Sequence, residues 1–552
     1  MIYSQKKLAQ LVIEYSVAYN IEHVIISPGS RNAPLIIGYT NYSQIKTYSI
    51  VDERCAAFFA LGIAQQTKRP TVLICTSGSA LLNYYPAVAE AFYSNIPLVI
   101  ISADRPKHLI DVGDGQTIRQ ENVFDNHSLY NANLIEGDQN FEENKKQIST
   151  AFLKGFQSKG PVHINVPFDE PLYETIDEPT IKRIILEEDT IDLLDIQGLD
   201  EYVSKWNNSK KKWILLGTNF PDEKLQGQLS VLVKDESILV LTETTSNIHH
   251  PKFINSIDKL IFPLTDDEFI KLKPDVLLTL GGLIVSKKVK QLLRKFQPKE
   301  HWHINSNNAP DTYHCLSKHF KINDTLFFDQ FLKLVKPKNS DYQNYGLKLK
   351  QQRKFKHDQF LPNAEYSDLK VFDVVLESIP DHSQVQFSNS SIIRYSQLFD
   401  INNSLTIFCN RGTSGIDGST SLAIGAASIV RNQTILITGD ISFFYDSNAL
   451  WNNYIKNNFR IILINNGGGG IFKFIPGPSS TNALEYFETP HELTAKHLCE
   501  MYHFEYCTAN NESELKNELR LFYQDSELPK LLEIFTPQAI NDVILKRYFN
   551  SL

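Results

Sequence analysis

Cysteine is sparse in this sequence. Six occur among 552 residues (Cys55, Cys75, Cys315, Cys409, Cys499 and Cys507) and none forms a CxxC pair, which excludes a paired-cysteine zinc site and a disulfide framework and fits a reducing cytoplasm. Basic charge is not in excess either. Fifty-five Lys and Arg against 63 Asp and Glu leave a net charge of −8, so there is no electrostatic footprint for nucleic acid or an anionic membrane surface, and small-molecule chemistry is expected. Long hydrophobic runs are missing. The longest uncharged stretch, Thr71 to Ala89, is broken by Ser, Thr, Asn, Gly and Pro, and the opening MIYSQKKLAQLVIEYSV is interrupted by Lys and Glu; neither a membrane span nor a signal peptide is expected. No GxxxxGK[ST] and no GxGxxG after a strand is present, which removes the P-loop and dinucleotide fingerprints, and no short-period repeat is visible.

What is present reads as α/β throughout. The length exceeds one domain at about 150 residues each, and the 42% hydrophobic and 21% charged residues are ordinary globular usage. Short runs rich in β-branched residues (HVIIS, TVLICT, PLVIISA, PVHINVP) alternate with helix-length segments, the pattern of parallel sheets covered on both faces. After Asp169 the chain turns charged and irregular before the strand KWILLG; a second set, SILVLTE and DVLLTLGG, ends in the Lys-rich stretch that runs to KQQRKFKHD; a third set comprises SQVQFSN, LTIFCN, QTILITGD, FRIILINN and KLLEIF. This predicts three doubly wound parallel-sheet domains, residues 1–185, 186–345 and 346–552. The first and third share only a coarse rhythm.

The strongest local signal is GDISFFYDSNALWNNYIKNNFRIILINNGGGGIF, beginning at Gly439. Strand ends at Asp440 and Asn466, 26 residues apart, fit one βαβ unit with a helix over Phe443 to Lys456, whose right-handed crossover brings both ends to one sheet edge. Ligands bind at that edge, and the run Gly467 to Gly470 admits one close to the backbone. An Asp carboxylate, an Asn amide oxygen and a free carbonyl are hard ligands suited to magnesium, which bridges to substrate phosphates. For either half alone, ordinary turn roles account for these residues; together they point to a diphosphate.

These residues resemble the signature of thiamine diphosphate enzymes, Gly-Asp followed a βαβ unit later by Asn-Asn, with Ile441 standing where most of the family has Gly. The resemblance implies a magnesium (or manganese) site of Asp440, Asn466 and Gly468, cofactor contacts from Ser390, Gly412, Ser414, Ile416, Ile441, Ser442, Ile471 and Phe472, and a catalytic glutamate from the pyrimidine-binding first domain. Glu53 in SIVDERCAAFF sits at the strand-to-helix junction required. By itself it is an acid complementing a helix N-terminus; in this family it shares a proton with the aminopyrimidine ring, and burial there would raise its pKa. Ile416 is the apolar prop for the bent cofactor, with a core role as the alternative.

The motifs ISPGSRNAPL, TSGSALLNYYPA, SADRP, GDGQTIRQ, NSSIIR and NRGTSGIDG resemble, more narrowly, the menaquinone-pathway synthases of 2-succinyl-5-enolpyruvyl-6-hydroxy-3-cyclohexene-1-carboxylate (SEPHCHC). The resemblance covers most of the first and third domains and reaches the central one at Lys287. It implies a transferase joining 2-oxoglutarate, after decarboxylation, to isochorismate. Those substrates carry four carboxylates, which the matched cations Arg31, Arg105, Lys287, Arg394 and Arg411 answer, since Arg forks suit carboxylates. Ser30, Asn83, Phe472 and Ile475 are expected at the substrates, and Gln116 and Ser390 in catalysis. A cytoplasmic homodimer or homotetramer is implied, with active sites at the subunit interface, to which the apolar helix AAFFALGIA would contribute. No adjacent His pair of the kind simple 2-oxo-acid decarboxylases use lies in the first domain, His249-His250 being central. The alternatives are an acetolactate synthase or 2-oxo-acid decarboxylase, a non-catalytic ligand-binding homologue, and a nicotinamide oxidoreductase, which lacks its glycine fingerprint.

Overall fold

The computed structural model of the chain describes residues 2–186, 198–473, 477 and 480–552. Three all-parallel sheets dominate it. The first runs in the spatial order Lys46–Ser49, His23–Ile26, Thr71–Cys75, Leu98–Asp104, Val162–Pro167, Asn131–Asn133. The last runs Thr406–Cys409, Gln384–Phe387, Thr434–Gly439, Phe459–Asn465, Lys530–Phe535, Glu505–Ala509. Numbered within each domain, both read 2-1-3-4-6-5, so the shared rhythm in the sequence is a shared topology. The central sheet has five strands, Ile238–Leu241, Lys212–Leu216, Val276–Leu280, Glu300–Ile304 and Leu316–Phe320.

The continuous apolar strands are continuous because both faces are buried. In Thr71–Cys75, Val72 and Ile74 join one core and Leu73 and Cys75 the opposite one. In Phe459–Asn465, Ile462 and Ile464 face a core with the helix Asp368–Ser378, while Ile461 and Leu463 face the other way. That second core is shared. Leu73, Ile100, Phe58 and Leu61 of the first domain pack in one cluster with Leu422, Leu436, Ile461 and Leu463 of the third.

Two helices make the junction. The helix Glu53–Thr67 is started by Asp52, whose side chain accepts from the Cys55 N–H, and ends at Lys68 in the left-handed conformation. It crosses the helix Ser419–Ile429 so closely that a Cβ on Gly62 would lie 2.1 Å from the Leu422 carbonyl oxygen, and one on Gly425 2.1 Å from that of Phe59. The apolar faces of AAFFALGIA are therefore covered within one chain, which corrects the expectation that they serve a subunit interface.

The helix expected over Phe443 to Lys456 is also corrected. A helix spans Asp440–Tyr445, a 3-10 turn Ser447–Leu450, and an irregular segment leads to Phe459. Asp446 ends the helix by turning inward to Ser421, and the Asn452 side chain bonds backbone on either side of it. The boundary drawn at residue 345 falls inside the helix Tyr342–Phe360, whose first residue packs in the central core and whose last turns bond the C-terminal helix through His357 and Tyr548. No helix among the described residues is long and apolar enough to cross a membrane.

Gly425→Ala inserts a methyl group where no space exists, and overpacking of this kind costs about 1–3 kcal/mol. The urea midpoint of the full chain is expected to fall, and an unchanged midpoint would show that the crossing is not tight.

Candidate functional site

Every strand of the third sheet ends at one edge, and the described third-domain residues singled out above follow those strand ends. Thr434–Gly439 leads into Asp440, the first residue of its helix, which is 3% exposed. Its Oδ1 accepts from the Ile441 N–H (2.7 Å) and its Oδ2 from the Gly468 N–H (3.0 Å). Burial pushes its pKa up, opposed by these N–H groups and by His491, whose Nε2 lies 3.4 Å from Oδ2. Gly468 has φ +151°, and a Cβ there would come within 2.6 Å of the Glu488 carbonyl oxygen, so only glycine brings this backbone beside Asp440. Asn466 donates through Nδ2 to Asp368 (3.0 Å), while its Oδ1 is buried without a hydrogen-bond partner.

The Asp440 carboxylate, the orphaned Asn466 oxygen and the Gly468 carbonyl form an all-oxygen set that fits a hard divalent cation. Among the described residues no three His, Cys, Asp or Glu side chains gather to hold a metal, so a cation here relies on amide and backbone oxygen. Ser442 Oγ donates to the Ile416 carbonyl (2.9 Å), tying the Asp440 helix to the loop 411–418. Ile416 is half-buried, Ile471 is buried, and Phe472 packs on Phe487 with ring centroids 5.2 Å apart. Ile475 lies outside the described residues.

At the same edge Gln384–Phe387 ends at Asn389 and Ser390, and Thr406–Cys409 at Asn410 and Arg411. Arg411 is 8% exposed; its Nη1 donates to Asn389 Oδ1 (2.8 Å) and its Nε has no acceptor. Arg394 donates to the Ser390 carbonyl (2.5 Å), and its pKa is lowered first by burial and next by the charge of Arg411. Among the described residues neither guanidinium has a carboxylate in ion-pair contact. Two neighbouring cations repel unless an anion joins them. Ser390 and Ser414 take φ of +69° and +63°, strained values for residues with a Cβ.

The first-domain residues follow strand ends of their own sheet. Glu53 opens its helix half-buried, with Asn83 Nδ2 3.4 Å from its carboxylate. Its neighbours dock on the third domain: Arg54 donates to the Tyr445 carbonyl (2.9 Å), and Asn448 to Asp52 (2.9 Å). One chain thus carries Glu53 to the end of the helix that begins at Asp440. Arg31 is buried, bonded to the Phe168 carbonyl and ion-paired with Glu170 (3.1 Å), while Arg105 pairs with Asp114 (3.1 Å). Ser30, Asn83 and Gln116 are exposed, Gln116 at φ +54° with its backbone against Gly78.

Some residues escape the sequence reading. Glu90 accepts from Gly412 N–H (2.7 Å), Thr413 N–H (2.6 Å) and Thr413 Oγ1 (2.8 Å), which pins the loop from the third domain to the first. Asn389 also donates to the Asn410 and Gly415 carbonyls and shapes the whole loop. Lys287 is exposed at the start of the helix Lys287–Lys295, and Lys290 is the lysine that senses Glu243 and Arg411, its pKa lowered chiefly by burial. Asp368 and His491 carry no local motif; only the fold brings them to Asn466 and Asp440.

Residues 6–129 match the family model for the N-terminal TPP-binding domain of thiamine pyrophosphate enzymes. Over the full length of both chains the sequence is 54% identical to the 2-succinyl-5-enolpyruvyl-6-hydroxy-3-cyclohexene-1-carboxylate synthase of Flavobacterium psychrophilum and 55% identical to that of Flavobacterium johnsoniae. It is 37% identical, over all of this chain and 98% of the relative, to the enzyme of the same name from Porphyromonas gingivalis.

Asp446, buried at the junction, accepts from the Ser421 N–H (2.7 Å) and Oγ (2.8 Å), and burial raises its pKa to about 7. The folded state then holds a proton that the unfolded chain releases near pH 4, so stability is full below that pH and falls as pH rises towards 7, by up to about 1.4 kcal/mol per unit. Asp446→Asn is expected to flatten this loss in urea titrations at pH 4.5 to 7.5. An identical pH slope in the variant would assign the dependence to other groups.

Proposed function

The chain belongs to the family of 2-succinyl-5-enolpyruvyl-6-hydroxy-3-cyclohexene-1-carboxylate synthases, and from that membership we propose how its residues divide the reaction. It is a thiamine diphosphate-dependent transferase that forms a carbon–carbon bond. The substrates are 2-oxoglutarate, which loses CO2, and isochorismate, which accepts the remaining four-carbon unit. The observation that carries the reading is the neighbouring pair of half-buried Arg394 and buried Arg411 at the sheet edge that also bears Asp440.

Bound thiamine diphosphate supplies the nucleophilic carbon and the electron sink for decarboxylation. Asp440, Asn466 and the Gly468 carbonyl hold the cation, magnesium or manganese, that anchors its diphosphate. Glu53 exchanges a proton with the ring nitrogen of the aminopyrimidine, and Ile416 supports the ring system between the domains. Arg394 and Arg411 grip the carboxylates of the 2-oxoglutarate portion, aided by Ser390. Arg31, Arg105 and Lys287 serve isochorismate; the ion pairs of Arg31 and Arg105 end on Glu170 and Asp114, which are more exposed than the arginines and yield to a substrate carboxylate. Asn83 and Gln116 orient the bound groups. The three α/β domains correspond to pyrimidine-binding, central and diphosphate-binding units. Assembly as a cytoplasmic homodimer or homotetramer with active sites at the subunit interface belongs to the same reading, supported by the exposed Val51, Leu82 and Tyr445 around Glu53 and by six free cysteines.

Mass spectrometry of the product from isochorismate and 2-oxoglutarate, with and without cofactor and magnesium, tests the activity. An acetolactate-type product would replace this reading with its nearest rival. Glu53→Gln should lower turnover by about 10² to 10⁴, the usual share of a positioned acid or base. Arg31→Ala should leave single-turnover CO2 release from 2-oxoglutarate near normal and cost roughly ten to a hundredfold in kcat/KM for isochorismate. Equal losses in both measurements would dissolve the division between the two sets of cations.

A further inference from the structure

An asparagine is a cation ligand only if its oxygen points at the cation, and the side-chain amide is nearly symmetric in shape. Its NH2 end repels a cation and its oxygen end binds one, so something outside the amide must decide between two orientations of almost equal size. At Asn466 the deciding neighbour is identifiable. Asp368, the first residue of the helix Asp368–Ser378, is 3% exposed and sits 98 positions away in sequence. One carboxylate oxygen accepts from Asn466 Nδ2 at 3.0 Å; the other accepts from Thr536 Oγ1 at 2.6 Å. The Asp368 N–H is itself held by Asn541 Oδ1 at 2.9 Å. An ionised carboxylate has no hydrogen to give, so it can face only the NH2 end.

Asp368 has no other evident task. No Lys, Arg or His makes an ion pair with it among the described residues, and burial together with the charge of Asp440 makes its ionised form costly. The cap position of its helix is Ser367, and the Asp368 carboxylate is not the cap.

We propose that Asp368 is a positioning residue that locks the Asn466 amide with Nδ2 inward, so that Oδ1 is presented as a cation ligand beside Asp440 and Gly468. This rests on the cation-site reading given above. Thr536 and Asn541 complete the device by fixing the carboxylate plane. The amide pays no reorganisation on cation binding, because its only alternative orientation has been removed. Partners of this kind typically change metal affinity by about 10- to 100-fold.

The test is calorimetric, on the full chain, with magnesium titrated in the presence of thiamine diphosphate. Asp368→Asn can donate to Asn466 Oδ1 and so permits the flipped amide; the magnesium concentration for half-saturation should rise about 10- to 100-fold. In an Asn466→Ala background the same substitution should add nothing, because the residue acts through that amide. A loss of equal size in both backgrounds, or no loss in the parent, overturns the proposal. Thr536→Val, which keeps the carboxylate and removes one of its donors, serves if Asp368→Asn does not fold; a several-fold rise in half-saturation supports the assignment and unchanged magnesium dependence overturns it. Asp440→Ala and Asn466→Ala test the underlying site separately. If both bind cofactor and magnesium as the parent does, the cation-site reading falls and takes this proposal with it; if both weaken and Asp368→Asn does not, only the role of Asp368 falls.

Discussion

The close crossing of the helices Glu53–Thr67 and Ser419–Ile429 is the constraint on which the rest of the architecture depends. Glycine at both crossing points lets the backbones touch, and the apolar side chains around them merge one face of the first sheet and one face of the third into a single core. Two sheets of identical strand order are thereby fixed with respect to one another by packing, which is short-ranged and intolerant of sliding. The polar contacts at the rim, Glu90 on Gly412 and Thr413, Arg54 on Tyr445 and Cys55 on Asp446, then cross the junction at atoms already in place. Their carboxylates are buried, so each is held by several donors rather than by one flexible cation.

That arrangement explains why the site residues come from turns. In a parallel sheet the loops that follow the strands all emerge at one edge, and the chain has two such edges, one in each of the sheets the junction joins. Asp52 and Glu53 follow one strand, Asn389 and Ser390 another, Asn410 and Arg411, Asp440, and Asn466 three more. The left-handed backbone at Ser390, Ser414 and Gln116 belongs to the same logic. A chain leaving a strand and entering a loop against another domain bends harder than regular structure allows, and the surrounding contacts hold the strain.

Much of this was legible in the sequence, because parallel strands buried on both faces announce themselves as apolar runs and because Asp440 and Asn466 lie a fixed βαβ spacing apart. Edge strands were harder to see. Lys318 and His319 in Leu316–Phe320, and Asn131 and Asn133 in their short strand, carry the polar residues that edges tolerate. The helix beyond Asp440 was overextended since its sequence has helical apolar spacing, yet Asp446 finds a better partner in Ser421 than in solvent. The polar partners Asp368, Glu90, Asn389 and His491 were illegible for a single reason. Each acts on a residue distant in sequence or through a backbone group, and local pattern holds no record of either.

The charges of the site form two opposite halves. Where the cation belongs, Asp440 and Asp368 are both buried, and the charge of Asp440 makes the ionised form of Asp368 less favourable. Where the carboxylates belong, Arg411 is buried and Arg394 half-buried, and the charge of Arg411 disfavours that of Arg394, with Asp258 offsetting part of it. Either pair alone opposes folding, since desolvated like charges gain nothing from proximity. Each becomes favourable once a ligand of opposite sign enters, so the binding free energy is drawn in part from repulsion that the fold maintains. The packed core of the third domain makes that possible, because like charges stay close only where the scaffold that carries them is rigid.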